Sequence, residues 1–289
     1  MSTLNQLVDA VLAEVYSDTQ TIDASSYLKV SIDADDLAFT VSDGSRFSAG
    51  IAEINSELML IETVDRSSGS VTIAPGGRGV RGTTAASHAL AARVTMSPAI
   101  ARHRVEDAVL ETLRASSGLF AVGSTDITYS AATRSYSLPV GVETILSVSW
   151  DPGFSLTPEW QPVRRWTHDR HNQALVIGDP VVPGRTVRVA YATSPTVPAM
   201  SAEFSTTGLP ESCWDVIRFG AAWRVVSFLE PANLLGGAAE AKAMDRPSQG
   251  GTRMRVAQYY YQMYQARLNE EVASLQHRYP IRVHFGGTV

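Results

Sequence analysis

Glu57-Leu-Met-Leu-Ile-Glu-Thr-Val64, then Val71-Thr-Ile-Ala-Pro75, then Gly76-Gly-Arg-Gly-Val-Arg-Gly-Thr-Thr-Ala-Ala-Ser-His-Ala-Leu-Ala-Ala-Arg-Val94 form the stretch on which the fold turns. Two strands lead into a glycine-rich arm, and a third strand returns past small residues. Gly77, Gly79 and Gly82 spell a literal GxGxxG after a strand. A dinucleotide site also needs a helix opening at the motif, a parallel βαβ unit and an acidic residue about twenty positions on. Thr83-Thr-Ala-Ala-Ser-His88 starts such a helix poorly, and the flanking strands are short and antiparallel in character. The stretch therefore reads as a β module whose arm, carrying Arg78 and Arg81, reaches toward a neighbouring subunit.

Around this module the chain of 289 residues is long enough for two or three subdomains. Its 44% hydrophobic and 18% charged content is that of an ordinary globular protein. No stretch approaches the ~20 apolar residues of a membrane span. The start, MSTLNQLVDAVLAEVYSD, lacks a basic region and carries Asp9 and Glu14, unlike a signal peptide. One cysteine, Cys213, excludes an intrachain disulfide framework and a cysteine-cluster zinc site, which points to folding in a reducing cytoplasm. A net charge of −5 carries no general nucleic-acid footprint.

Apolar residues at helical spacing predict a helix over 3–16, built on Leu4, Leu7, Val8, Val11, Leu12 and Val15. Its burial is smaller than the entropy of ordering it, so it needs packing partners. Further helices are expected from Ser97-Pro98 to about 116, from about 210 to 230, over 238–244, and from about 252 to 277. Strands are expected at 27–32, 37–41, 57–64, 71–74 and 93–96, and again at 134–138, 143–150, 161–166, 174–177 and 186–191. The expected fold class is α+β: a bundle of about four helices with two inserted small antiparallel β subdomains. In residues, 1–20, 97–118 and 208–277 make a discontinuous bundle, 21–96 the first insertion, 119–200 the second insertion with its linker, and 278–289 an extended tail.

Candidate chemistry is sparse. Asp33-Ala-Asp-Asp36 lacks the glycine and closing glutamate of a calcium loop. His168 and His171 sit in what reads as a hairpin tip, and Cys213 has no partner at catalytic spacing. GxSxG, HExxH and the Walker lysine do not occur. No catalytic, cofactor-binding or metal-ligating residue is expected. Tyr259, Tyr260, Tyr261 and Tyr264 place tyrosine on more than one side of one helix, as expected of a helix that is wholly buried or shared between a core and a partner; a core face set against a solvated basic face is the alternative. The tail Tyr279-Pro280-Ile281-Arg282-Val283-His284-Phe285 alternates after a proline and suits strand addition to another chain. Trp150, Trp160 and Trp166 leave open an aromatic platform for host glycans.

Two stretches resemble a known family. Glu57–Val64 followed by VTIAPGGRGVRGTTAASHALAARV is similar to a module of tailed-bacteriophage tail, baseplate and neck proteins. SYSLPVGVETILSVSW, with EWQPVRRW and GRTVRVAY, resembles the β region of head–tail connector proteins from phages of actinobacteria. Together they cover roughly half the chain, and the helical remainder resembles the core of head-to-tail adaptor proteins. The resemblance implies a structural, non-enzymatic virion protein at the neck, assembled in the host cytoplasm. It implies a ring, dodecameric by analogy, between the portal and a stopper or tail-completion protein, with packaged DNA passing through unspecifically and no membrane contact. The tail Tyr279–Phe285, Arg78 and Arg81 are its expected interface residues. A minor tail or baseplate protein is the alternative within virions.

Overall fold

A computed structural model describes residues 2–17, 23–116, 119, 121–133, 135–153, 159–228 and 250–279. They form an α+β protein dominated by antiparallel strands in sheets of six, four and three. Four helices accompany them among the described residues: α1 (Leu4–Ser17), α2 (Arg102–Ala115), α3 (214–228) and α4 (Gly250–Arg278). The expected helical bundle with small β insertions is thus overturned. The β regions hold two cores of their own, and α1 does not depend on helices alone. Its first turn is tied to the loop turn at 199–202, with the Leu4 and Asn5 N–H groups donating to the carbonyls of Ala202 and Met200 (both 3.0 Å).

The chain divides into two compact units, one of residues 1–5, 112–217 and 261–289, the other of 6–111 and 218–260. The second unit holds β1 (Ala24–Tyr27), β2 (Ala38–Thr40), β3 (Gly50–Ile54), β4 (Glu57–Asp65), β5 (Ser70–Ile73) and β6 (Arg93–Met96), in the sheet order β1-β6-β3-β4-β5-β2. Its two edges meet. Leu28 bridges Val41, the Lys29 N–H donates to the Thr40 carbonyl (2.8 Å) and the Ser42 N–H to that of Tyr27 (2.9 Å). Joining the edges makes a small barrel, which removes the exposed strand edges of an open sheet. Leu28, Phe39, Val41, Phe47, Ile54, Met59, Ile61, Val71, Ile73 and Val94 fill it. The β3–β4 hairpin turns on Asn55 and Ser56, with Asn55 at φ 54°, a left-handed conformation that asparagine tolerates.

The first unit contains β7 (Ala121–Thr128), β8 (Ser135–Ser137), β9 (Val142–Trp150), β10 (Gln161–Pro162), β11 (Trp166–Asp169), β12 (Ala174–Ile177) and β13 (Thr186–Thr193). They form a four-stranded sheet, β10-β9-β13-β7, and a three-stranded one, β11-β12-β8. Val142, Ile145 and Val148 of β9, Val187 and Val189 of β13, and Leu175 of β12 share one core. The expected strand at 27–32 lies earlier, at β1, with Leu28 and Ile32 kept only as bridges, and β3 and β7 are additional strands. The expected helix over 238–244 lies outside the described residues.

Candidate functional site

The GGRGVRG segment and β4 build a buried polar site whose centre is Glu57. Period-two alternation puts Glu57 on the same face of β4 as Met59 and Ile61, and all three are buried. The carboxylate is met by donors from one loop. Arg78 donates from Nε to Oε1 (2.7 Å) and from Nη2 to Oε2 (3.0 Å), a bidentate pair. The backbone N–H groups of Gly79 (3.1 Å) and Ala86 (3.0 Å) donate to the same carboxylate. His88 Nε2 lies 2.8 Å from Oε2. The Asn55 amide nitrogen is 3.1 Å from His88 Nδ1, so Nδ1 accepts and Nε2 carries the proton given to Glu57.

Burial pushes the Glu57 carboxyl up, but the bonds from Arg78, Ala86 and His88 together hold it below the ordinary carboxylate value. The loop is therefore an anion nest whose anion is the protein's own side chain. Gly79 makes the nest possible: its φ is +61°, and a Cβ there would come within 2.8 Å of the Ala85 nitrogen. Gly77 is equally constrained, because a Cβ would meet the Ala74 and Leu60 carbonyls at 2.7 Å. In place of a crossover helix, a single 3-10 turn follows over Val80–Gly82.

The two arginines expected at an interface have different surroundings. The Arg78 side chain is only 7% exposed, and besides Glu57 it donates to the carbonyls of Asp33 (2.7 Å), Asp36 (2.9 Å) and Ala86 (2.6 Å). It clips the Asp33–Asp36 turn to the arm, inside its own unit. Arg81 is exposed, with φ 57°. With His103 and Arg104 it lines a recess of about 370 Å³ beside Leu58, Ile100 and Phe228. Arg104 stacks on the Phe228 ring at 5.1 Å. Burial lowers the His103 pKa, and its Nδ1 has no hydrogen-bond partner among the described residues.

Tyr279, half-buried, closes α4 by donating its N–H to the Leu275 carbonyl (2.9 Å). Pro280, Ile281, Arg282, Val283, His284 and Phe285 lie outside the described residues. On α4, Ala257, Tyr260, Tyr264 and Leu268 form the buried stripe, while Tyr259 and Tyr261 are exposed. Cys213 is buried, and burial followed by the nearby Glu271 charge pushes its thiol up to about 12, where it is inert as a nucleophile.

The tryptophans form no open platform. Trp150 and Trp166 pack against the core, and the Trp160 ring is covered by the Arg188 guanidinium at 4.1 Å. Arg188 is in turn bidentate to Asp126 (both 2.8 Å). His168 lies on β11 and His171 in the adjoining turn. Among the described residues no group of three or more His, Cys, Asp or Glu is arranged to hold a metal ion. Nor is any described helix long and apolar enough to cross a membrane.

A carboxylate locked in five donor contacts is arranged for holding backbone together, because every lone-pair direction that could take a proton or ligand is already occupied. Sequence reasoning named Arg78 but missed Glu57 and His88. The available signal was an acid in phase with Met59 and Ile61 on an apolar strand face. No family model matches the chain, and no curated protein is significantly similar to it.

Proposed function

We propose that the chain is a structural protein of a tailed-phage virion, placed at the head-to-tail junction. Copies form a ring, dodecameric by the resemblance, between the portal and a stopper or tail-completion protein. The observation that carries this reading is the closure of Glu57–Val94 on itself. The residues through which that stretch resembles virion modules, the arginine-glycine arm and the Ala86-Ser-His88 run, are those that bind Glu57. What the resembling stretch shares with such proteins is then a building unit held by its own buried ion pair, and its role is mechanical.

The charge supports a passive relation to DNA. A chain of net charge −5 neutralises few phosphates, which suits a wall past which DNA slides. The shared helical bundle of adaptors forms no part of this proposal. Assembly takes place in the host cytoplasm, and no catalytic step is assigned.

Removing the gene from a phage genome tests the reading. Electron microscopy of the lysate should show DNA-filled heads and finished tails that fail to join. Because the same stretch resembles tail and baseplate modules, complete heads with absent or defective tails would move the protein down the particle. Normal, infectious virions would exclude a structural role.

A further inference from the structure

Period-two alternation on β4 turns Met59 and Ile61 into the barrel and Leu58 out of it, yet Leu58 is buried too. Outside the barrel it forms an apolar floor with Ile100, ahead of α2, and Val225 of α3, both buried. The recess above this floor, about 370 Å³, is walled by Arg81, His103, Arg104 and Phe228. A second hollow of about 230 Å³ shares Leu58, Arg81, Pro98 and Ala101 with it and continues to Ile51 and Ser97. The two make one elongated groove, and all its residues belong to a single compact unit.

The groove is positive without compensation. Arg81 and Arg104 are exposed, and neither has an acidic partner among the described residues. No described Asp or Glu lines either hollow. The neighbouring arginines differ: Arg78 is paired with Glu57, and Arg102 with Asp9 and Glu106. The N-terminal end of α2, a helix of 14 residues, adds its dipole to the same field. Phe228, 59% exposed, lies beneath the Arg104 guanidinium, and the unpartnered Nδ1 of His103 leaves one more hydrogen-bonding atom. Arg81 and Ser97, at φ 57° and 45°, hold left-handed backbone along the rim, a strained state that collects at binding sites.

We propose that this groove docks an acidic segment of another protein, with carboxylates on Arg81 and Arg104 and an adjoining aliphatic or aromatic side chain over Leu58, Ile100 and Phe228. Arginine clusters read acidic motifs in this way, and arginine and aromatic side chains are what interfaces favour. Duplex DNA presents phosphates but no apolar side chain to cover the floor. A small anion would fill one hollow and leave the other empty, whereas an extended peptide spans both. The inference stands whether or not the chain belongs to a virion; at a neck, the segment would come from an adjoining virion component.

The test is a selection of random dodecapeptides on the immobilised full-length chain, with the Arg81→Gln, Arg104→Gln double variant as the counter-target. Peptides kept by the chain and not by the variant should carry Asp or Glu within three residues of Leu, Ile, Phe or Trp. The best of them should bind at least tenfold more weakly to either single variant, and at least tenfold more weakly when its own acids are replaced by amides. It should bind undiminished to Arg114→Gln, which changes an exposed arginine at the far end of α2. Both groove arginines are exposed, so the melting curve should not move. No selective enrichment, or enriched peptides without acids, overturns the proposal. Displacement of the best peptide by an equal concentration of inorganic phosphate or duplex DNA would make the groove a general anion or nucleic-acid site, and overturns it as well. The virion reading fails separately, on the phenotype of the gene deletion, whatever the peptides show.

Discussion

Replacing Glu57 by alanine removes the centre of the barrel's polar lock. Arg78, 7% exposed, loses its counter-ion, and the N–H groups of Gly79 and Ala86 and the Nε2–H of His88 lose an acceptor. Breaking a buried ion pair from one side costs about 3–5 kcal/mol, and each stranded buried donor about 1–3 kcal/mol. These losses overlap, because relaxation lets water reach several groups together, so about 4 kcal/mol is expected. That is a large share of the roughly 5–15 kcal/mol that a domain has in total. Tryptophan fluorescence reports this event poorly: the tryptophans at 150, 160, 166 and 214 lie in the other unit, and Trp223 lies on α3, outside the barrel. Hydrogen exchange read on peptides from residues 50–96 is the proper assay. A loss of 4 kcal/mol lowers amide protection there about a thousandfold, at roughly 1.4 kcal/mol per decade. Protection over 121–193 should hold. A barrel loss under about 1 kcal/mol, or an equal loss in both units, would refute the reasoning.

Other perturbations give distinct signatures. Glu53 is buried, and burial raises its carboxyl to about 7 against the partly offsetting Arg102 N–H bond. A raised folded value means the contribution is complete below the unfolded value and is lost as pH rises through about 7, on the order of 3 kcal/mol at ~1.4 per unit. Glu53→Gln should flatten the decline in barrel protection between pH 5 and 8; an unchanged decline would contradict this. Cys213 should resist alkylation in the native protein and react at least about a hundredfold faster once unfolded, since burial keeps it a thiol. Comparable rates in both states would show the site to be open. Arg188→Ala removes an exposed pair and a ring stack, so it should leave the melting curve nearly unchanged while shifting Trp160 fluorescence. A clear drop in melting temperature would mean the exposed pair bears on the core.

Strands with plain alternation or apolar runs were legible. The expected 57–64, 71–74, 93–96, 143–150 and 174–177 lie within one residue of β4, β5, β6, β9 and β12. β3, Gly-Ile-Ala-Glu-Ile, was not, because a glycine and a buried acid break its pattern. β7, Ala-Val-Gly-Ser-Thr-Asp-Ile-Thr, was not, because only tertiary pairing with β13 makes a strand of so polar a run. The fold class was not legible because α1 buries too little on its own and its apolar stripe does not say what covers it. A loop turn at 199–202 holds its first turn. Glu57 stayed hidden because its partners Arg78, Ala86 and His88 stand 21, 29 and 31 residues away, a closure that no local window contains.

The central claim is a structural place in the particle, and the composition of purified virions tests it most directly. Cryo-electron microscopy of intact particles, with quantitative mass spectrometry of the same preparation, should find the chain as a closed ring of multiple copies at the neck. Particles that are complete and infectious yet lack the chain would contradict the account.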